Sequence, residues 1–120
     1  MIFTVNHPSA SSSSNELLLV DVRLTANGKC ISGRALLDPG STISTVAVHI
    51  VRKNGIARTS SDTKIKTLNR RVLGITDQLL LDVMNHKCTL PLYAVDSEFD
   101  FILGLNWFQA LNALNAIKQH

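Results

Sequence analysis

The chain has few cysteines, no long apolar run and no leader-like start, and each shortage excludes a class of protein. Its two cysteines, Cys30 and Cys88, are too few for the disulfide framework of a small secreted domain. They are most simply buried thiols in a reducing compartment, but both lie beside predicted strands, so a bridge between them stays open. The longest apolar runs, residues 17–20 and 79–81, are far too short to cross a bilayer. The start has neither a basic n-region nor a long apolar h-region, so no secretory signal is expected.

Length and composition predict one small domain. A chain of 120 residues that is 45% hydrophobic and 18% charged can bury one core but hardly two. A polar, serine-rich tether over residues 7–15 separates the β-prone residues 2–5 from everything that follows. We therefore divide the chain into an N-terminal strand and tether, residues 1–15, and a domain, residues 16–120. The isolated strand must satisfy its backbone groups, so we expect it to pair near a chain terminus, in this subunit or in a second one.

Short strands and turn residues predict an all-β fold with two helical pieces. Three hairpins are expected, joining residues 17–24 to 30–37, residues 64–67 to 71–75, and residues 78–84 to 88–95. Their turns are placed at residues 26–28, 68–70 and 85–87. A last strand covers residues 102–104. Apolar spacing predicts a helix over residues 43–53, closed by Asn54 and Gly55, and a C-terminal helix over residues 107–114.

A carboxylate at the end of an apolar strand is the most informative local feature. Residues 35–37 form an interior strand, and Asp38 follows it directly. Pro39 and Gly40 break the strand, while Ser41 and Thr42 supply hydroxyl groups beside the carboxylate. An acid catalyst can be held in such a turn, although Asp-Pro-Gly is also an ordinary turn sequence.

A second motif lies about sixty residues downstream, and the two together resemble a known family. Residues 36–41 read LLDPGS, and residues 102–104 read ILG, followed by Asn106, Trp107 and Phe108 at a helix start. The pair resembles the retropepsin-like aspartic proteases of retroviruses and of long-terminal-repeat retrotransposons of the gypsy and Pao types. That family carries a hydrophobic-hydrophobic-Asp-(Ser/Thr)-Gly-(Ser/Ala) loop and a later hydrophobic-hydrophobic-Gly motif. The similarity covers residues 17–116, and only Pro39 departs from the catalytic triplet.

The resemblance implies a closed all-β acid-protease barrel with a C-terminal helix, active as a homodimer. The chain has one such loop, and its other aspartates lack the Gly-Ser context, so the resemblance implies that two copies of Asp38 meet across a two-fold axis around the lytic water. No cofactor or metal is implied. The implied substrate is a peptide or a Gag-Pol-type polyprotein, and the implied location is the cytoplasm or a retroelement particle rather than the secretory route.

The resemblance also implies roles for individual residues. Asp38 is the catalytic residue, and the loop is supported by Pro39, Gly40, Ser41, Thr42 and Gly104. In these roles Gly40 lets the loop backbone approach closely, Ser41 bonds the outer oxygen of Asp38, and Gly104 packs beneath the loop. A flap over the substrate and side-chain pockets are assigned to Leu36, Leu68, Asn69, Arg70, Val72, Leu73 and Ile75.

Pro39 is the main departure from the family pattern. The Ser or Thr usually found there interlocks the two subunits through its hydroxyl, and proline has neither a hydroxyl nor an amide hydrogen. Activity with a weaker dimer is the leading interpretation, and a degenerate copy that folds, dimerises and binds peptides without cleaving them is the alternative.

Other functions have weaker support in the sequence. Cations concentrate in the middle of the chain at Arg52, Lys53, Arg58, Lys64, Lys66, Arg70 and Arg71. A basic nucleic-acid-binding domain would explain them, but no aromatic residues interleave with them, and a solvated face or a basic flap that favours acidic substrates is simpler. His86 and Cys88 lack the second pair that a zinc site needs.

Overall fold

The computed structural model of the chain describes residues 2–6, 16–59 and 71–118. Eight strands are present in this part: β1 (Ile2–Asn6), β2 (Glu16–Ala26), β3 (Lys29–Leu37), β4 (Thr45–Ala47), β5 (Arg58–Thr59), β6 (Val72–Val83), β7 (His86–Val95) and β8 (Phe101–Leu103). The two helices are α1 (Val48–Lys53) and α2 (Leu105–Lys118). No helix among these residues is long and apolar enough to cross a membrane.

The strands form one sheet that closes on itself. Their order is β1-β2-β3-β8-β4-β7-β6-β5, and an additional antiparallel pairing of β2 with β6 joins the two sides. Six strands, β2, β3, β8, β4, β7 and β6, therefore make a closed barrel, while β1 and β5 extend it. This confirms the predicted closed all-β barrel with a C-terminal helix.

Alternating apolar residues fill the barrel. Val20, Val22 and Leu24 on β2 are at most 1% exposed, while the residues between them face solvent. That alternation is the period-two pattern of a strand with one buried face. Trp107 on α2 is also buried and belongs to the same core, so the C-terminal helix closes one side of it.

The β2–β3 hairpin forms where the sequence predicts it. Asn27 and Gly28 both take positive φ, 54° and 72°, as a two-residue turn between right-twisted strands requires. The last hairpin turns earlier than expected, because Met84 and Asn85 take the left-handed conformation and β7 already begins at His86. Met84 gives no turn signal in the sequence, so the predicted turn at residues 85–87 was wrong by about two residues.

The predicted helix over residues 43–53 is only half correct. Its first part is strand β4, which pairs in parallel with β7 and antiparallel with β8. Thr45 and Val46 are β-branched and completely or almost completely buried, so pairing inside the sheet prevails over the helical spacing. Helix α1 begins only at Val48, and it ends before Asn54 and Gly55 as predicted.

Strand β6 is one long strand, where the sequence predicts two separate strands. Its register with β7 shifts twice, between Val72 and Gly74 and between Ile75 and Gln78. Val72 and Gly74 are buried before the second shift, Thr76 is buried within it, and Leu81 and Val83 are buried after it, so the buried face changes from even to odd positions across the second shift. Such a change is the effect of a β-bulge, which inserts one extra residue.

The ends of the domain differ in detail from the prediction. Strand β1 pairs antiparallel with the start of β2 in the same chain, with Ile2 opposite Val20 and Asn6 opposite Glu16. Helix α2 begins at Leu105, two residues before the predicted start. The predicted strand over residues 64–67 lies outside the described residues, and within them β6 pairs at this end with β5, residues 58–59.

Candidate active site

Asp38 lies on a tight turn directly after β3. The backbone N–H of Ser41 donates a hydrogen bond of 3.0 Å to the Asp38 carbonyl, which closes a four-residue β-turn. Pro39 occupies the second position of that turn, where its fixed φ is favourable and no backbone N–H is needed. The local backbone therefore accepts Pro39 without losing a hydrogen bond.

The Asp38 carboxylate is held by its own loop. Its Oδ1 accepts a hydrogen bond of 3.1 Å from the backbone N–H of Gly40. A Cβ at position 40 would lie 3.3 Å from the same oxygen, so the glycine leaves room for the carboxylate. Asp38 is half-buried, and this contact with Gly40 restricts where its side chain can point.

Ser41 has a different partner from the one expected. Its hydroxyl donates to the carbonyl of Ile43 at 2.9 Å, and the residue is only 3% exposed. A hydroxyl has a single hydrogen to donate, so this bond takes the place of the expected one to Asp38. Thr42 is exposed. Ser41 therefore stabilises the loop backbone through Ile43 and does not orient the Asp38 carboxylate.

The second motif crosses directly beneath the Asp38 loop. The backbone N–H of Asp38 donates to the Leu103 carbonyl at 2.9 Å, and the N–H of Leu105 donates to the Ser41 carbonyl at 2.6 Å. Between them lies Gly104, where a Cβ would collide with the carbonyl oxygens of Ile43 and Ser41. Strands β3 and β8 run parallel and end together, so the barrel itself brings the two motifs into contact.

A buried hydroxyl that the sequence analysis missed completes this crossing. Ser44 is fully buried, accepts a hydrogen bond of 3.0 Å from the Gly104 N–H, and donates one of 2.6 Å to Asn106 Oδ1. Serine and threonine are so frequent over residues 41–45 that no pattern distinguishes Ser44 from its neighbours. Only the fold identifies it.

The residues predicted to contact substrate are dispersed. Leu36 is half-buried on β3, two residues before Asp38. Val72 is buried, and Leu73 and Ile75 are half-buried, on the part of β6 that pairs with β7. β6 is not hydrogen-bonded to β3, so pairing alone does not join these residues to Asp38. The flap residues Leu68, Asn69 and Arg70 lie outside the described residues.

The chain is similar to a solved structure of known family. No family model matches the sequence, and no curated protein matches it. The crystal structure of the retroviral protease-like domain of Ddi1 from Leishmania major matches it with a TM-score of 0.56 at 14% identity, covering 76% of this chain and 75% of that one. The fold is retropepsin-like. In this retropepsin-like fold, the six-stranded barrel and the C-terminal helix carry the Asp38 loop and Gly104.

Among the residues that the structure describes, the other reactive side chains do not assemble into a second site. Both cysteines are free, Cys30 exposed and Cys88 half-buried, so the bridge that the sequence left open is absent. Burial raises the pKa of the Cys88 thiol, and the neighbouring Trp107 indole acts in the opposite direction. His49 Nε2 lies 3.9 Å from Asp100 Oδ1 in an exposed pair. Within residues 16–59 and 71–118, no three His, Cys, Asp or Glu side chains group as metal ligands would.

Proposed function

We propose that the chain is one protomer of a homodimeric aspartic endopeptidase, in which Asp38 of two copies forms the catalytic dyad. One observation carries the proposal: Asp38 is held at the end of an interior strand, and its loop is hydrogen-bonded to the Leu103–Gly104 crossing, in a retropepsin-like fold. A protomer with a single such loop supplies one carboxylate. Isologous pairing of two copies supplies the second, because a two-fold axis repeats every group.

Two adjacent carboxylates are suited to hydrolysis of a peptide bond. Held close together they share one proton, so one is a base while the other is an acid. The ionised carboxylate takes a proton from water, the resulting hydroxide adds to the scissile carbonyl, and the protonated carboxylate stabilises the developing oxyanion. Proton transfer to the amide nitrogen then breaks the C–N bond. The Gly40 N–H restricts the Asp38 carboxylate throughout, which favours this geometry.

The retropepsin-like fold and the sequence resemblance support a peptide as the proposed substrate class. An extended peptide would pair through its backbone, and apolar residues beside the scissile bond would contact side chains such as Leu36, Val72, Leu73 and Ile75. The polyprotein of a retroelement, of the Gag-Pol type, is the substrate we propose. A junction within the serine-rich residues 7–15, at which the domain would release itself, is part of the same proposal.

Pro39 supports a second candidate function. Proline at this position cannot donate a hydrogen bond to the opposite loop, so the dimer lacks one of the usual contacts between its active-site loops. A copy whose loops are not held in a geometry that cleaves, for want of this contact, would still dimerise and bind peptides. This binding module shares the fold and differs only in the rate of hydrolysis.

The experiment compares processing of the chain, fused to flanking polyprotein, by the wild type and by Asp38→Asn. The matched control is Asp77→Asn, which replaces an exposed aspartate on β6 outside the loop. We expect cleavage by the wild type and the control, and none by Asp38→Asn. Equal processing by all three chains would exclude the endopeptidase, and no processing with retained dimerisation and peptide binding would favour the binding module.

A further inference from the structure

Ser44 and Asn106 form a buried polar link beneath the candidate active site. The Ser44 hydroxyl accepts a hydrogen bond from the Gly104 N–H at 3.0 Å and donates one to Asn106 Oδ1 at 2.6 Å. The Ser44 carbonyl accepts a third bond of 3.1 Å from the Tyr93 N–H. Ser44 is 0% exposed, so in this structure these protein groups are the partners of its buried polar atoms.

These bonds have a defined direction. The Gly104 N–H can only donate, so the Ser44 hydroxyl accepts from it, and the hydroxyl gives its one hydrogen to Asn106 Oδ1. Asn106 faces Ser44 with its carbonyl oxygen, and its amide nitrogen points away. An acceptor is required at position 106, and a hydroxyl is required at position 44.

The link ends at the peptide on which the Asp38 loop rests. The residue before Gly104 accepts the Asp38 N–H through its carbonyl, and the residue after it donates to the Ser41 carbonyl. Ser44 holds the Gly104 N–H between these two bonds. Any shift of the Gly104 peptide would therefore move both points at which the Asp38 loop is attached.

We propose that Ser44 and Asn106 are positioning residues for Asp38, acting through the Gly104 peptide. The inference deepens the proposed protease function and rests on it. Pro39 makes this link more important, because a loop without the usual hydroxyl must be held from within its own chain. Small displacements of a catalytic group reduce the rate strongly while leaving substrate binding almost unchanged.

Asn106 provides the sharper variants, because it is half-buried and a change there disturbs the core less than a change at Ser44. Asn106→Ala removes the acceptor, Asn106→Asp keeps it, and Asn112→Ala is the matched control at an exposed position of the same helix. Ser44→Ala and Ser44→Thr test the other end of the link in the same way. The readouts are kcat and KM per folded chain on a peptide substrate, and hydrogen exchange of the Asp38 and Leu105 amides.

We expect Asn106→Ala and Ser44→Ala to lower kcat by about tenfold to a hundredfold with KM within about twofold, and to accelerate amide exchange at Asp38. Asn106→Asp should retain most of kcat, and Asn112→Ala should change nothing. An unchanged kcat per folded chain in Asn106→Ala would overturn the inference, since the link would then be merely structural. If the wild type does not cleave the peptide, the proposed function is wrong, and the positioning link is then tested by amide exchange alone. Faster exchange of the Asp38 amide in Asn106→Ala supports the link, and unchanged exchange overturns it.

Discussion

Gly104 is the residue at which the structure leaves least room for a side chain. A Cβ there would lie 2.6 Å from the Ser41 carbonyl oxygen and closer still to that of Ile43. Both carbonyl oxygens belong to the backbone of the Asp38 loop, so neither can move away as the end of a flexible side chain could. The loop and the β8–α2 junction must therefore move apart if anything larger than glycine is present.

Gly104→Ala is expected to destabilise the fold by roughly 1–3 kcal/mol or more and to abolish cleavage, because it forces the Asp38 loop away from Leu103. Gly40→Ala is the comparison, since its Cβ would meet only the Asp38 carboxylate, at 3.3 Å. It should reduce activity with a smaller loss of stability. Urea unfolding followed by fluorescence of Trp107 measures both variants, and equal stability of Gly104→Ala and the wild type would contradict the packing described.

Pro39→Thr should tighten the dimer while slightly weakening the protomer. The new hydroxyl offers one hydrogen bond per subunit, each worth about 0.5–1.5 kcal/mol, so the dimer Kd should fall by roughly fivefold to 150-fold. Loss of proline costs roughly 0.4–1 kcal/mol through the entropy of the unfolded chain. Sedimentation equilibrium and urea unfolding separate the two effects. An unchanged Kd would show that the opposing loops of this dimer are joined in another way.

The β-bulge in β6 is stabilised by the side chain of Thr76. Thr76 is buried, and its hydroxyl accepts the Leu92 N–H at 3.0 Å and donates to the Asp77 carbonyl at 2.7 Å. These bonds occur where the register with β7 shifts, so the side chain replaces a backbone partner that the extra residue displaces.

Thr76→Val is expected to destabilise the fold by about 1–3 kcal/mol, because the Leu92 N–H is left buried without an acceptor. Thr76→Ser keeps the hydroxyl and should lose clearly less stability than Thr76→Val. The measurement is the urea midpoint of each variant at constant m-value. Similar midpoints for Val and Ser would mean that the hydroxyl does not satisfy the bulge.

At the scale of the whole molecule, the proposed enzyme depends on the association of two chains. Well below the dimer Kd, tenfold dilution should reduce the rate per chain by about tenfold, because the dimer fraction falls with concentration. Well above the dimer Kd, where nearly all chains are paired, an inactive chain should also inhibit the enzyme: a threefold excess of Asp38→Asn leaves about a quarter of the wild-type chains in wild-type dimers. Asp77→Asn chains serve as the control. A rate per chain that is constant on dilution and insensitive to Asp38→Asn would exclude a shared dyad.

The shared proton of a dyad also predicts the pH dependence of the rate. Raising the pH removes the proton that polarises the carbonyl, and lowering it neutralises the base, so kcat/KM should be bell-shaped with a mildly acidic maximum. Outside the maximum the rate should change by about tenfold per pH unit. A peptide isostere of the tetrahedral intermediate should inhibit the enzyme, whereas reagents that modify serine and metal chelators should not. A flat profile through the acidic range would contradict dyad chemistry.

Local chemistry in the sequence was sufficient for several parts of this protein. Alternating apolar residues predicted the strand now seen as β2, and Asn27 with Gly28 predicted the turn that follows it. The apolar residues before Asp38 and Gly104 predicted two strands, the first ending in a turn and the second running into a helix, and the structure has both as β3 and β8. These are properties of neighbouring residues along the chain, so the sequence alone determined them.

Only the tertiary structure decided the features that depend on distant residues. Residues 45–47 have a helical spacing but become β4, because β7 and β8 offer backbone partners on both sides. The link from Ser44 to Asn106 exists because β3 and β8 end side by side. Hydrogen bonds between residues about sixty positions apart leave no periodic trace in a sequence. The sequence alone determined that Asp38 follows an apolar strand, and the tertiary structure decided which hydrogen bonds hold its loop in position.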